Sequence, residues 1–331
     1  MDFELNEDQQ AITEAIDRLL AQHAGAARAI ELNREGRYDE HLHEALAAAG
    51  FSTIATDLAS DHSSDLSRDT GLAGLEAALI VEAIARAGGV VASAAQMLVA
   101  PAVSAAAIAG PIALCTMDNL AKPVPLRFGA HASTLLVLGY GDVHVIPLGS
   151  DDMEAVRSSF GYPMGRLRSA ERSHELLSRG DTLGPQAALA MTRWWRLSLA
   201  VEAVGTMDAA LQHTVDYLKQ RRQFGRAIGS FQPIQHRLAL CAIQVEASRW
   251  LAREAAYHGA QDEAVAAAAA FALNAADQVF TETHQMSGAI GFTCEFNLHV
   301  WSMRLLALRQ ELEGVGGARR ALVRARWGGG G

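Results

Sequence analysis

At 331 residues the chain has room for about two or three domains. Its 28 Lys plus Arg against 37 Asp plus Glu give a formal charge of −9 without any basic run, which argues against a nucleic-acid partner. Half of the residues are apolar and a fifth are charged, ordinary usage for a folded globular protein and unlike that of a disordered or fibrous one. Cys115, Cys241 and Cys294 are odd in number and far apart. They form no CxxC pair, so they predict neither a disulfide framework nor a structural zinc site, and the scattered histidines show no ligand spacing. The acidic opening MDFELNEDQQ lacks the layout of a signal peptide, and a reducing cytoplasm is the expected compartment.

The first 110 residues predict helices separated by glycine turns. Asn6 followed by Gln9 has the form of a capping box, and Ile12, Ile16, Leu19 and Leu20 then recur at helical spacing. A second helix is expected over His41–Ala49, stopped at Gly50. A third runs through Leu75, Leu79 and Glu82 to Gly88-Gly89, with a polar loop, Asp57 to Asp69, before it. The uncharged stretch from Ala87 to Met117 is long enough to span a bilayer. It is rich in Ala, Ser and Gly and is interrupted at Pro101 and Gly110-Pro111, which predicts tightly packed buried helix and no membrane span.

The texture changes over residues 111–184. Ile112 to Thr116, Thr134 to Leu138 and Val143 to Leu148 are short aliphatic runs between Gly, Pro and Asp, the pattern of a small β insert. Helical periodicity returns over residues 185–331. Leu197, Val201, Val204, Leu211, Val215 and Leu218 trace one face of a long helix, and a second begins at Pro233, a residue favoured in the first helical turn. A third helix contains Ala264 to Ala276, and a fourth is expected over Leu298 to Leu312, making a four-helix bundle. The fold expected is mainly α with a small β insert.

Two segments carry candidate chemistry. Arg221-Arg222-Gln223-Phe224-Gly225-Arg226, followed by Phe231-Gln232, clusters guanidinium groups beside a glycine, an arrangement suited to a pyrophosphate. It reads equally as a basic helix end offsetting the macrodipole. Gln285-Met286-Ser287-Gly288-Ala289-Ile290-Gly291-Phe292 is a small-residue turn whose backbone a ligand could approach, or an ordinary helix C-cap.

In this order and spacing the two segments resemble the R-x-x-F-G…F-Q and Q-x-x-G-G-x-G-F signatures of the acyl-CoA dehydrogenase family. The order helical, β, helical matches that family along nearly the whole chain. The resemblance implies an N-terminal helical domain, a middle β domain and a C-terminal four-helix bundle. It also implies FAD as cofactor, an acyl-CoA as substrate and α,β-desaturation of the thioester by a carboxylate base. By resemblance Arg221 contacts the FAD pyrophosphate, and Phe224 and Gln232 line the adenosine or flavin end. Gln285, Met286, Gly288 and Ala289 bring main chain near a partner subunit's cofactor, with Ala289 replacing the family's second glycine.

The pattern departs from the family at the base and in the β domain. One of the family's two base positions falls on Trp195, which cannot accept a proton. The other has its nearest match at Glu313, with a one-residue insertion, and Glu311 and Glu202 are further acidic candidates. The family's flavin-holding loop is replaced by Ala113 to Asp118 and a shortened segment. A short chain, a reduced β domain and a doubtful base resemble the smaller subunit of heteromeric (α2β2) acyl-CoA dehydrogenases of actinobacterial steroid and cholesterol degradation. That resemblance implies a second dehydrogenase subunit as partner. A self-sufficient homotetramer with Glu313 as base and a non-catalytic scaffold are the alternative readings.

Overall fold

The computed structural model describes residues 4–54, 71–122, 124–169 and 172–328, so the polar loop expected before the third helix lies outside the described residues. Three helices open the chain: α1 (Glu7–His23), α2 (Ala26–Glu35) and α3 (Glu40–Ala48), followed by α4 (Gly71–Arg86). The capping box forms as the sequence suggests. The Asn6 side chain accepts from the Gln9 amide at 2.8 Å, and the Gln9 side chain accepts from the Asn6 amide at 3.1 Å. Helix α2 had no forecast, because only Ala29 and Leu32 of it are buried and so short a stripe carries little periodic signal. The uncharged stretch after α4 is not one long helix. It contains a π-helical turn, Ala95–Val99, and one short helical turn, Ala100–Val103, with Pro101 as its second residue.

The middle region comprises two sheets. One has the order β1 (Ile112–Thr116), β3 (Thr134–Leu138), β4 (Val143–Pro147), β7 (Asp181–Leu183), with β1 and β3 parallel and the other pairs antiparallel. The other is antiparallel, β2 (Leu126–Arg127), β6 (Met164–Leu167), β5 (Met153–Val156). A short helix, α5 (Ser173–Arg179), precedes β7. Strands β1 and β3 read as near-continuous apolar runs because both faces of each are covered. Leu135 and Val137 of β3 join Ala113, Cys115, Ile146 and Leu167 in a core between the sheets, while Leu136, one residue out of phase, joins the large helical core.

The bundle is built from α6 (Pro185–Gln220), α7 (Gln232–Tyr257), α8 (Asp262–Ser287), α9 (His299–Leu308) and α10 (Gly314–Trp327), the last two replacing the single fourth helix expected. Between α6 and α7 lies a two-stranded hairpin, β8 (Arg222–Gln223) and β9 (Arg226–Ala227). Helix α6 runs through the middle and is buried on all sides from Leu197 to Met207. A Cβ at Gly205 would collide with the carbonyl of Glu82, so glycine is what lets α6 approach α4. The buried Arg249 of α7 joins three helices by donating to Glu82 of α4 at 2.8 Å and Asp208 of α6 at 2.9 Å. Among the described residues one helical stretch, Asp262–Phe292, is long and apolar enough to cross a membrane by length and composition, and half of that window is buried inside the bundle.

One buried carboxyl between α1 and α4 is only half satisfied. Glu76 Oε1 accepts from the Gln9 side chain at 2.8 Å, while Oε2 is buried without a partner. Burial raises its pKa above the ordinary value, the Gln9 bond opposes this, and Asp8 adds to the rise. A carboxyl raised on folding stabilises below its unfolded pKa and loses that contribution as pH climbs through the folded value. Glu76→Gln keeps the Gln9 contact without the charge, so it is expected to add about 1 kcal/mol at pH 7 and nothing near pH 4. Urea unfolding at the two pH values checks this, and an equal or lower stability of the variant at pH 7 contradicts it.

Candidate functional site

The loop between α6 and α7 stands away from the core. Phe224 and Gly225 form the two-residue connection of the β8–β9 hairpin, with φ of 54° and 79°, as a type I′ turn requires. A bulky side chain in that region costs about 1 to 2 kcal/mol, and Phe224 is also 91% exposed to water. An aromatic held outward on a strained turn is costly in the isolated chain, which points to something that covers it. Arg226 lies over the Phe231 ring at 4.0 Å, and Phe224 meets Phe231 edge-on at 6.1 Å. Among the described residues no carboxylate pairs with Arg221, Arg222 or Arg226. Gln232 is exposed in the first turn of α7.

Helix α8 ends in the second candidate segment. Gly288, at φ 65°, caps it by donating to the carbonyls of Gln285 and His284, and a Cβ there would meet nothing within 4 Å. Gln285 and Ala289 are exposed, whereas Met286 is buried, so Met286 offers a ligand only its main chain.

The acidic candidates near the C-terminus are separated by a sharp turn. Leu312, Glu313 and Gly314 are consecutive left-handed residues, with φ of 45°, 63° and 58°. A Cβ at Gly314 or Gly317 would strike the carbonyls of Arg309 and Leu312 respectively, so the turn needs both glycines. The reversal sends neighbouring carboxylates in different directions. Glu313 is exposed and pairs with Arg320, while Glu311 faces inward.

Glu311 faces a cavity of about 470 Å³ between the sheets and the bundle. Its walls are largely apolar, including Leu114, Leu126, Phe160, Met164 and Trp195, and of its lining residues only Glu311 is a carboxylate. None of the loop or α8-end residues lines it. Beyond lies a second space of only about 20 Å³ backed by Ala92, Ala94 and Ala95, and Leu114, Arg127 and Glu311 line both spaces.

Arg127 of β2 occupies this partition. Its two Nη atoms donate to both oxygens of Glu202 at 2.9 and 3.0 Å, and its Nε donates to Glu311. The Trp195 indole donates to the other Glu311 oxygen at 2.6 Å. The Arg127, Glu202 and Glu311 side chains are only 9, 6 and 18% exposed. The cavity's carboxylate, Glu311, and Glu202 of the inner space are therefore held by one guanidinium. Tyr162 lies between Arg127 and Arg304, at 5.0 and 4.8 Å from its ring, and burial pushes its hydroxyl up to about 12. No sequence signal marks Arg127, since its partners come from α6 and the α9–α10 turn.

A separate open groove of about 600 Å³ runs between the β3–β4 turn, the start of α6, and α10. Arg196 and Arg324 line it without a carboxylate partner among the described residues, and Arg196 Nε is buried with no hydrogen bond. Arg193 has taken the nearby Asp262 in a bidentate pair at 2.7 and 2.6 Å. Burial lowers the Arg196 pKa, Asp262 opposes this, and Arg324 lowers it further. With Asp262, which also lines the groove, already paired to Arg193, the Arg196 and Arg324 guanidinium groups suit an anionic ligand.

Residues 184–327 match the family description "Acyl-CoA dehydrogenase, C-terminal domain". Along the whole chain, acyl-CoA dehydrogenase IpdE2 of Mycobacterium tuberculosis is 28% identical over 340 residues, covering 97% of this chain and 98% of that protein. Residues 184–327 belong to the acyl-CoA dehydrogenase family, and the chain as a whole is similar to it. Solved structures with the same fold include the ChsE4-ChsE5 complex from Mycobacterium tuberculosis, with TM-score 0.75, 20% identity and 98% of both chains covered. Another is a variant of the Tcur3481-Tcur3483 steroid ACAD, with TM-score 0.74, 24% identity and 98% of both chains covered. Membership places the chain among FAD-dependent acyl-CoA dehydrogenases. The guanidinium groups of Arg221, Arg222 and Arg226, which pair with no carboxylate among the described residues, are donors of the kind that fits the phosphates of that cofactor.

Proposed function

We propose that this chain is one subunit of a heteromeric FAD-dependent acyl-CoA dehydrogenase that desaturates a steroid-derived CoA thioester, and that its partner supplies the base. The reading rests chiefly on Arg127. A general base must be free to take a proton, and Arg127 holds Glu311, the cavity's own carboxylate, together with Glu202 of the inner space behind it. Glu313 points to solvent and pairs with Arg320. The steroid ACAD among the structural neighbours supports the steroid substrate, and the ChsE4-ChsE5 complex supports an unlike partner.

Bound FAD supplies the hydride acceptor. Arg221 would hold its pyrophosphate, Phe224 and Gln232 would flank the adenosine or flavin end, and Gln285 with the main chain of Met286, Gly288 and Ala289 would close on a partner's cofactor. Phe224 would lose its exposure in that assembly, which accounts for its cost in the chain alone. Arg196 and Arg324 would take the CoA phosphates in their groove. The assembly is proposed to work in a reducing cytoplasm, the compartment expected from cysteine usage.

The visible spectrum and native mass of the chain, purified alone and then with the acyl-CoA dehydrogenase encoded beside it, test the reading. A colourless lone chain that turns yellow in a mixed tetramer is expected, and a yellow, active homotetramer contradicts it. In the mixed assembly Arg221→Ala removes a charge-assisted contact and is expected to weaken FAD retention about 10- to 100-fold. Full occupancy in that variant would remove Arg221 from the site. Glu313→Gln is expected to leave turnover within about twofold, whereas a loss of about 10²-fold or more would return proton abstraction to this chain.

A further inference from the structure

We propose that Arg127 sets the depth of this chain's ligand cavity, fixing how long an acyl group it accepts. The inference rests on the reading of the chain as an acyl-CoA binder and adds the residue that determines size. The outer space of about 470 Å³ and the inner space of about 20 Å³ share Leu114, Arg127 and Glu311 as their partition. The far side of the inner space is a wall of Ala92, Ala94 and Ala95, small side chains that leave the volume behind the partition to be filled by Arg127 and Phe128.

Arg127 is a fixed wall and not a swinging gate. Its fork is engaged bidentately by Glu202, its Nε by Glu311, and the Tyr162 ring covers its face. Moving it would leave three buried charges uncompensated, which is far more costly than the gain from a few extra methylenes. An acyl chain entering the outer space therefore stops at the guanidinium. The determinant is the volume of the Arg127 side chain, with Glu202 serving to hold it.

The test separates volume from charge with two variants of the full-length chain. Arg127→Ala/Glu202→Gln removes the wall without stranding the Glu202 charge, and Arg127→Met/Glu202→Gln removes the same charges while keeping a long side chain in place. Binding of saturated acyl-CoAs from butyryl to palmitoyl is measured by calorimetry, after thermal unfolding has shown each variant to be folded. Wild-type affinity is expected to rise about fourfold per methylene and then level off where the chain meets Arg127. The alanine variant is expected to continue rising for about two to three further methylenes, the length of side chain removed, and the methionine variant to level off with wild type. A plateau at the same length in the alanine variant overturns the proposal, as does a methionine variant that behaves like the alanine one. No acyl-CoA binding by any of the three proteins overturns the acyl-CoA reading itself, an outcome distinct from an unshifted plateau.

Discussion

Arg127→Ala by itself is expected to destabilise the protein by about 3 to 5 kcal/mol, the usual cost of removing one partner from a buried ion pair. The loss has two parts. Arg127 bridges the middle sheet to α6 and to the α9–α10 turn through Glu202 and Glu311, so its removal unties three elements. It also leaves Glu202, only 6% exposed, as an unpaired buried carboxylate. Adding Glu202→Gln removes that charge, and the double variant should recover part of the loss. Urea unfolding of the wild type, both single variants and the double variant gives the coupling directly. A single-variant cost below about 1 kcal/mol would mean that solvent already compensates these groups.

Arg304→Met is expected to cost about 3 kcal/mol by a different route. The Arg304 side chain is fully buried and, among the described residues, has no carboxylate partner. Its guanidinium donates to the carbonyls of Gly161, Gly89 and Gly88 at 3.1, 2.9 and 3.1 Å. Burial lowers its pKa, and Tyr162 and the more distant Glu202 oppose this. Methionine fills much of the volume but leaves three buried carbonyls unpaired, each worth about 1 to 3 kcal/mol, offset in part by no longer burying a charge. Because these carbonyls lie after α4 and before β6, hydrogen exchange should accelerate around residues 88–92 and 158–162. Unchanged exchange there would show that Arg304 is not what ties the N-terminal layer and the middle sheets to α9.

The helical faces were legible because burial follows a period that local sequence displays. The capping box at Asn6 and Gln9, the α6 stripe and proline in the first turn of α7 each involve residues within a few positions of one another. The same holds for the Arg221–Gln232 loop and the turn after α8, whose composition alone separates them from the helices they join. The break between α9 and α10 was harder to see. Three successive left-handed residues, only one of them glycine, divide what reads as one continuous helix, and helix propensity does not anticipate a tertiary demand of that kind.

The sequence by itself therefore determined the family likeness, the helical, β, helical order and the place of the two candidate segments. The tertiary structure alone decided the state of the cavity, because every contact there joins residues remote in the chain. Arg127 meets Glu202 across 75 positions and Glu311 across 184, and Trp195 meets Glu311 across 116. A carboxylate's usefulness as a base depends on whether it is exposed, buried or already paired. That is set by which side chains the fold brings to it, and so three glutamates that look alike in sequence part company in the folded protein, Glu311 and Glu202 buried on Arg127 and Glu313 exposed beside Arg320.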